Sequence, residues 1–316
     1  MNTLVRRIHD SAAARYWHFV HAHFPYLWAK RLYRQELGKD LKFSNYPPRD
    51  VNEKILWLEY MTDTRPWSRL ADKWAVRDFV RQRVGADVLV PLLGRWDRAA
   101  DIDFAALPER FVIKPNNGSY DVILVPDKQQ ADLPDIRCRL DRSLHTRFGL
   151  DNAEPHYLRI KPCILAEEML PADGPEGLVD YKVWCFGGQP FGVLACVGRD
   201  PVTHHAYLVC YDLHWQRRPE WLAPPFRNSC TLPRPAGLDA MLDVAARLSA
   251  GFPQVRVDLY NVRGRVYFGE MTFTSNYGMM PYFTQETLDE MGRLCPLPRR
   301  TLADRWQSVL TRYWPK

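Results

Sequence analysis

Two acidic residues, Asp258 and Glu270, lie in consecutive apolar, β-prone runs joined by a short loop that contains glycine. In VRVDLY, Arg256, Asp258 and Tyr260 share one face of a strand, while Val255, Val257 and Leu259 share the other. In VYFGEMTF, Val266, Phe268, Glu270 and Thr272 share a face. If Val262-Arg263-Gly264 is a three-residue loop with a left-handed glycine, Asn261 falls opposite Arg265 and Asp258 opposite Phe268. Glu270 is then the diagonal neighbour of Asp258, and both acids project from one sheet face with Arg256. A loop of two or four residues would separate the acids onto opposite faces. Two carboxylates this close repel unless a cation lies between them, and Mg²⁺ is commonly held by one or two carboxylates together with substrate phosphates. The plainer account makes them solvated strand residues paired with Arg256.

Upstream, FVIKPNNGSYDVILV places Lys114 at the end of a strand, before a small polar loop centred on Gly118 and Ser119. A lysine there can neutralise phosphate oxygens, and glycine lets backbone N–H groups approach them. The spacing is not that of a Walker A loop, and many surface hairpins carry a lysine. Arg199, His204 and His205 sit in a loop before YDLHW, where they could meet the carboxylate or hydroxyls of an acceptor. A histidine pair in a loop that does nothing is the simpler reading. Trp57, Trp74, Trp96, Trp184 and Trp215 read as packing residues.

The elements that must hold these side chains alternate between helices and mostly antiparallel hairpins, which predicts an α+β fold. Helical spacing covers residues 3–37, with Pro25 dividing it in two. The aromatic, arginine-flanked face of this region is one signature of a helix on an anionic membrane surface. A helical hairpin packed on the body is the reading adopted. A linker follows at residues 44–50, then helices at 52–61 and 66–84, and strands from about Val88. Strands are expected at 111–114, 122–125, 163–168, 181–186 and 190–197, helices near 132–148 and 237–250, and a hairpin at 255–274. The expected regions are a helical start (1–45), a helical segment (46–110), one lobe (111–170), a second lobe carrying the acids (171–300), and a terminal helix (301–316).

Bulk composition narrows the function. The 316 residues carry a formal charge of +6, with no single block of Lys and Arg. Arg77, Arg81 and Arg83 form the nearest thing to a basic run, and Asp78 interrupts it. No nucleic-acid module is visible, so anionic small molecules, phosphates or an acidic polymer are the better partners. Seven scattered cysteines without a C-x-x-C pair suggest free thiols in a reducing compartment. With neither a signal peptide nor an apolar membrane span in view, a cytoplasmic protein is expected, with the inner face of the membrane as its one extension.

Several blocks in fixed order give the chain a family likeness. They are NEKILWL with LADKWAVRDFV, VPLLGRWD, LPERFVIKPNNGS, ILAEEML, DYKVWCFGGQP, YDLHW, and GFPQVRVDLYNVRGRVYFGEMTFT. Over roughly residues 45–300 the sequence resembles the TupA-like branch of the ATP-grasp superfamily, which is linked to teichuronopeptide and other surface-polysaccharide biosynthesis. The resemblance implies an ATP-grasp fold of two α+β lobes after a helical region, with ATP and Mg²⁺ as cofactors. It implies that Lys114 and Lys182 are the two phosphate lysines, and that Glu167 and Glu168 end the hinge strand. Met169 and Leu170 would offer backbone hydrogen bonds to adenine. Asp258 and Glu270 would hold Mg²⁺, and Arg256 would face charge building at the reacting centre. An amino acid and a uronic-acid sugar or polysaccharide are the implied partners of a carboxylate–amine ligase. A sugar kinase, or a non-catalytic nucleotide-binding partner of a glycosyltransferase assembly, are the rivals. Two positions depart from the pattern. Tyr120-Asp121 stand where a glycine pair is usual after the serine, and Thr272 stands where the wider superfamily has an asparagine.

Overall fold

A computed structural model of the chain describes residues 16, 19–20, 23–41, 47–118, 121–172, 174, 177–198, 206–302, 304–306 and 309. Helix α1 (Pro25–Leu37) begins with proline in its first turn, where the missing N–H costs nothing, and ends on left-handed Gly38. The rest of the expected amino-terminal helix lies mostly outside the described residues. Helix α2 (Val51–Met61) is capped by Asp50, whose side chain accepts the Glu53 N–H at 2.9 Å.

The expected helix at 66–84 is two helices, α3 (Arg65–Ala71) and α4 (Val76–Val84). Asp72 causes the break: its backbone is extended, and its carboxylate accepts the N–H groups of Trp74 and Ala75 at 2.8 and 3.3 Å. Lys73 is thereby turned out of the helical path. The strand expected from Val88 starts later, as β1 (Leu92–Trp96).

Two antiparallel sheets follow. The first contains β1, β2 (Phe111–Pro115), β3 (Ile123–Val125) and β4 (Ile164–Glu168), in the order β1-β4-β2-β3. Helix α5 (Leu133–His145) covers it by burying Ile136 and Leu140 against Phe111, Ile113 and Ile164. The second contains β5 (Asp180–Phe186), β6 (Gln189–Val197), β7 (Tyr207–Tyr211), β8 (Gln254–Val262) and β9 (Arg265–Thr272), in the order β7-β6-β5-β8-β9. Helix α6 (Leu238–Ser249) packs Leu238, Met241, Ala245 and Leu248 on its apolar face. Neither β7 nor helix α7 (Gln285–Leu294) was expected from periodicity. All seven cysteines are free, and among the described residues no helix is long and apolar enough to cross a membrane.

The β8–β9 hairpin corrects the expected register. Val262 pairs with Arg265, so the loop is the two residues Arg263-Gly264, both left-handed (φ 51° and 85°) as a type I′ turn requires. Leu259 therefore pairs with Phe268, and such a loop would by itself send Glu270 to the core face. A β-bulge reverses this: Gly269 is the extra residue between the Leu259–Phe268 and Asp258–Glu270 pairs. The acids stand directly opposite each other, while Val266 and Phe268 join the core instead of sharing their face. A Cβ at Gly269 would lie 3.0 Å from the Asp258 carbonyl oxygen and 3.3 Å from the Tyr260 ring. Close backbone approach explains the glycine.

Candidate active site

Cross-strand pairing sets two rows of side chains on one face of the second sheet. Lys182, Asp258 and Glu270 form one row across β5, β8 and β9, and Trp184, Arg256 and Thr272 form the next. Asp258 is almost fully buried and its oxygens are occupied. Arg256 grips it with Nε and Nη2 at 2.6 and 2.7 Å, and Lys182 Nζ lies 2.5 Å from Oδ2. Lys182 also meets Asp180 at 2.6 Å. Burial pushes the Asp258 carboxyl up, and Arg256 and Lys182 pull it down. With a bidentate guanidinium and an ammonium on its oxygens it is an anion; despite burial it holds Arg256 above its ordinary value, and Asp180 and Asp258 together do the same for Lys182.

Glu270 is different. Its side chain keeps 34% of its surface exposed, and its ionic neighbours stand farther off: Arg256 Nη2 at 3.5 Å and Lys73 Nζ at 3.6 Å. Thr272 Oγ1 accepts from Arg256 Nη2 and donates to Glu270 Oε1, both at 3.0 Å. Burial would raise the Glu270 carboxyl, but Lys73, Lys182 and Arg256 draw it down to about 2. Glu270 is thus an open, ionised carboxylate beside an occupied one.

The first sheet adds the other cations. Lys114 Nζ reaches Glu167 Oε2 at 2.5 Å, and Arg77 Nη1 holds the other Glu167 oxygen at 2.8 Å. Lys73 donates to the Gly118 carbonyl oxygen and so ties the polar loop to Glu270. The loop is further fixed by buried Asn116, which donates to Asp72 Oδ1 at 2.8 Å and accepts the Cys163 N–H at 2.7 Å. Lys73 and Arg77 carried no assigned role in the sequence reading, although both lie in the quoted LADKWAVRDFV block. The visible signal was Asp72, a helix-breaking side chain immediately before a lysine. Near the end of β4, Glu168 and Met169 line a cleft of about 500 Å³ with Leu93, Leu107 and Arg110, among others. Ser119, Arg199, His204 and His205 lie outside the described residues.

The donor set suits Mg²⁺: two facing carboxylates and a hydroxyl, all oxygen, without sulfur or imidazole. Among the described residues no cluster of three or more His, Cys, Asp or Glu forms a ready cage. A hard cation here would therefore complete its shell with phosphate oxygens and water. Asp258 and Glu270 are the residues that would hold it.

Behind the site, residues 148–159 connect its parts. Phe148 packs against Gly118, where an added Cβ would lie 3.3 Å from its ring. Glu154 accepts from Thr274 Oγ1 at 2.5 Å, and fully buried His156 Nδ1 meets Glu59 at 3.0 Å. Burial raises Glu154 to about 8, raises Glu59 well above its ordinary value and lowers His156 to about 3. A carboxyl raised from 4.5 to about 8 contributes stability that is complete below 4.5 and is lost as pH climbs through 8. His156 acts in the opposite direction, and only below its unfolded value near 6.5. Chemical denaturation should thus show stability falling between pH 6.5 and 8.5. Glu154→Gln should remove about 2 kcal/mol of that fall, and an unchanged slope in the variant would refute this role.

With the geometry in place, comparison gives the relatives. The TupA-like ATPgrasp family model matches residues 53–295. No curated protein matches. Among solved structures, the D-cycloserine synthetase DcsG aligns at 14% identity over 74% of this chain and 72% of its own, with a TM-score of 0.44. The D-alanine–D-alanine ligase from Bacillus anthracis, complexed with ATP, aligns at 14% identity over 85% and 76%, with a TM-score of 0.42. The ATP-grasp ligase PsnB, with a phosphomimetic variant of its minimal precursor, Mg and ADP, aligns at 14% over 78% and 61%, with a TM-score of 0.40.

Proposed function

The chain belongs to the TupA-like ATP-grasp family, and from that premise we propose that it is an ADP-forming carboxylate–amine ligase that uses ATP and Mg²⁺. The observation that carries the reading is the row Lys182–Asp258–Glu270, with Lys73 and Lys114 brought toward it from other elements. These charges satisfy one another: Lys114 with Glu167, Lys182 with Asp258, Lys73 with Glu270. Mg²⁺·ATP offers the matching charges of both signs. The lysines would turn from carboxylates to phosphate oxygens, and Asp258 and Glu270 would then be free to hold the metal. Such an exchange keeps every buried charge paired before and after binding, and so avoids the large penalty of an isolated ion.

Mg²⁺, held by Asp258 and Glu270, would offset the negative charge of the phosphates. The chain's own residues do the rest. Gly118 would approach the phosphates, with Ser119 assigned there by the family likeness alone, and backbone groups at Met169 and Leu170 would hold the adenine beside Glu168. Arg256 stays fixed by Asp258 and faces the carbon where charge develops. The substrate carboxylate oxygen attacks the γ-phosphorus and ADP leaves. An amine then attacks the acyl phosphate, expelling phosphate and forming an amide. Thr272, Arg199, His204 and His205 are the candidate acceptor contacts. An amino acid joined to a uronic-acid sugar of a bacterial surface polysaccharide is the substrate pair most consistent with the family.

Product analysis tests the reading. With an ¹⁸O-labelled carboxylate substrate, ADP and singly labelled phosphate should appear with the amide. AMP and pyrophosphate would overturn the mechanism, and a stable phosphorylated acceptor would make the protein a phosphotransferase.

A further inference from the structure

The distribution of charge along the chain is uneven in a way the total of +6 conceals. Residues 1–34 hold six Lys and Arg against one acidic residue, and residues 293–316 hold another six against one. Of 43 Lys and Arg and 37 Asp and Glu overall, the intervening chain keeps 31 and 35, so it is net negative. The whole basic excess therefore resides at the two ends.

Described parts of both ends reach the carboxyl-terminal end of α2 and the turn after it. Tyr60 donates its hydroxyl to the Pro25 carbonyl oxygen at 3.3 Å, and its ring packs edge-on to Tyr26 at 5.6 Å. The next residue, Met61, accepts from Arg300 Nε at 2.8 Å, and the Asp63 N–H donates to Asp304 at 3.2 Å. A capping box starts the last helical segment there. Thr301 N–H donates to Asp304 Oδ2 at 2.7 Å, and Asp304 N–H returns to Thr301 Oγ1 at 3.1 Å.

The segment so anchored turns apolar side chains to solvent. Leu302, Trp306 and Val309, spaced by four and three residues, share one helical face and are 83%, 67% and 42% exposed. Exposed Tyr16, Phe19 and Leu27 belong to the other end that reaches α2. An exposed apolar stripe containing tryptophan, set in strongly basic sequence, has the composition of a helix that lies in a membrane interface. A second copy of the chain would bring two basic ends together, and a nucleic acid would leave the Leu302–Val309 stripe unused.

We propose that the carboxyl-terminal segment carrying Leu302, Trp306 and Val309 is a docking surface for anionic lipid bilayers. The segment enters the headgroup region through Leu302, Trp306 and Val309, and Arg305 on the same segment meets the anionic surface. The proposal is independent of the ligase reading, since it concerns neither nucleotide nor acceptor. Sedimentation of the full chain with vesicles is the test. Vesicles containing one third phosphatidylglycerol should carry the protein down at low salt, vesicles of phosphatidylcholine alone should not, and 0.5 M salt should weaken the binding. The double variant Leu302→Ser/Trp306→Ser should bind at least about tenfold more weakly, and Arg305→Glu should weaken binding on its own. ATP consumption without lipid should be unchanged in both. Equal binding to neutral vesicles, or no loss in the double variant, would overturn the proposal. So would light scattering that shows a lipid-free dimer abolished by the double variant, or displacement from vesicles by stoichiometric duplex DNA.

Discussion

Glu270→Gln is expected to lower ATP-dependent turnover by about 10²- to 10³-fold while leaving the chain folded. The substitution keeps the shape of the side chain and removes one charge from a group that is a third exposed, so it leaves no buried anion stranded. The Thr272 hydroxyl still finds an oxygen acceptor, and Lys73 keeps its bond to the Gly118 carbonyl oxygen. Lys73 and Arg256 each lose an ionic neighbour at 3.5–3.6 Å, and the proposed metal site loses a carboxylate. The Mg²⁺ concentration needed for half-maximal rate should rise along with the fall in rate. Asp258→Asn is a poorer probe, because Arg256 and Lys182 both lean on that carboxylate. Its loss would mix destabilisation with any effect on the proposed metal site. Wild-type turnover in Glu270→Gln across a Mg²⁺ titration would remove Glu270 from the metal site.

How much of this site was legible in the sequence depends on the kind of order involved. Alternation in VRVDLY placed Arg256 and Asp258 on one face because a strand has a period of two, and no tertiary information is needed for that. The partner strand was harder. Its face depends on counting residues through a loop, and two departures from the count, a two-residue turn and a bulge at Gly269, cancel at Glu270. The expected acid pair was thus reached by a register that the chain does not use. Phe268 betrays the difference, since it sits in the core rather than beside the acids. Lys73 was illegible for another reason. Helical periodicity runs almost unbroken through residues 66–84, and only the Asp72 side chain, competing for backbone N–H groups, interrupts it. Pairings such as Lys114 with Glu167 join positions 53 apart, which local pattern cannot reveal.

Arg256 carries the second large effect, on stability first. It is buried, its guanidinium spans Asp258 through two nitrogens, and it also reaches Ser275 and Thr272. Arg256→Met keeps much of the volume but leaves Asp258 with only Lys182, and removing one partner of a buried pair costs about 3–5 kcal/mol. Urea denaturation should register that loss as a lower midpoint. Arg256→Lys restores the charge without the planar fork, so it should recover part of the stability. The double variant Arg256→Met/Asp258→Leu removes both buried charges and should be more stable than Arg256→Met alone, because no uncompensated anion remains. Catalysis should not follow stability in this series. If Arg256 faces developing charge, Arg256→Lys and the double variant should both stay well below wild-type turnover despite their regained stability. Turnover that rises in step with stability would make Arg256 a structural partner of Asp258 and nothing more.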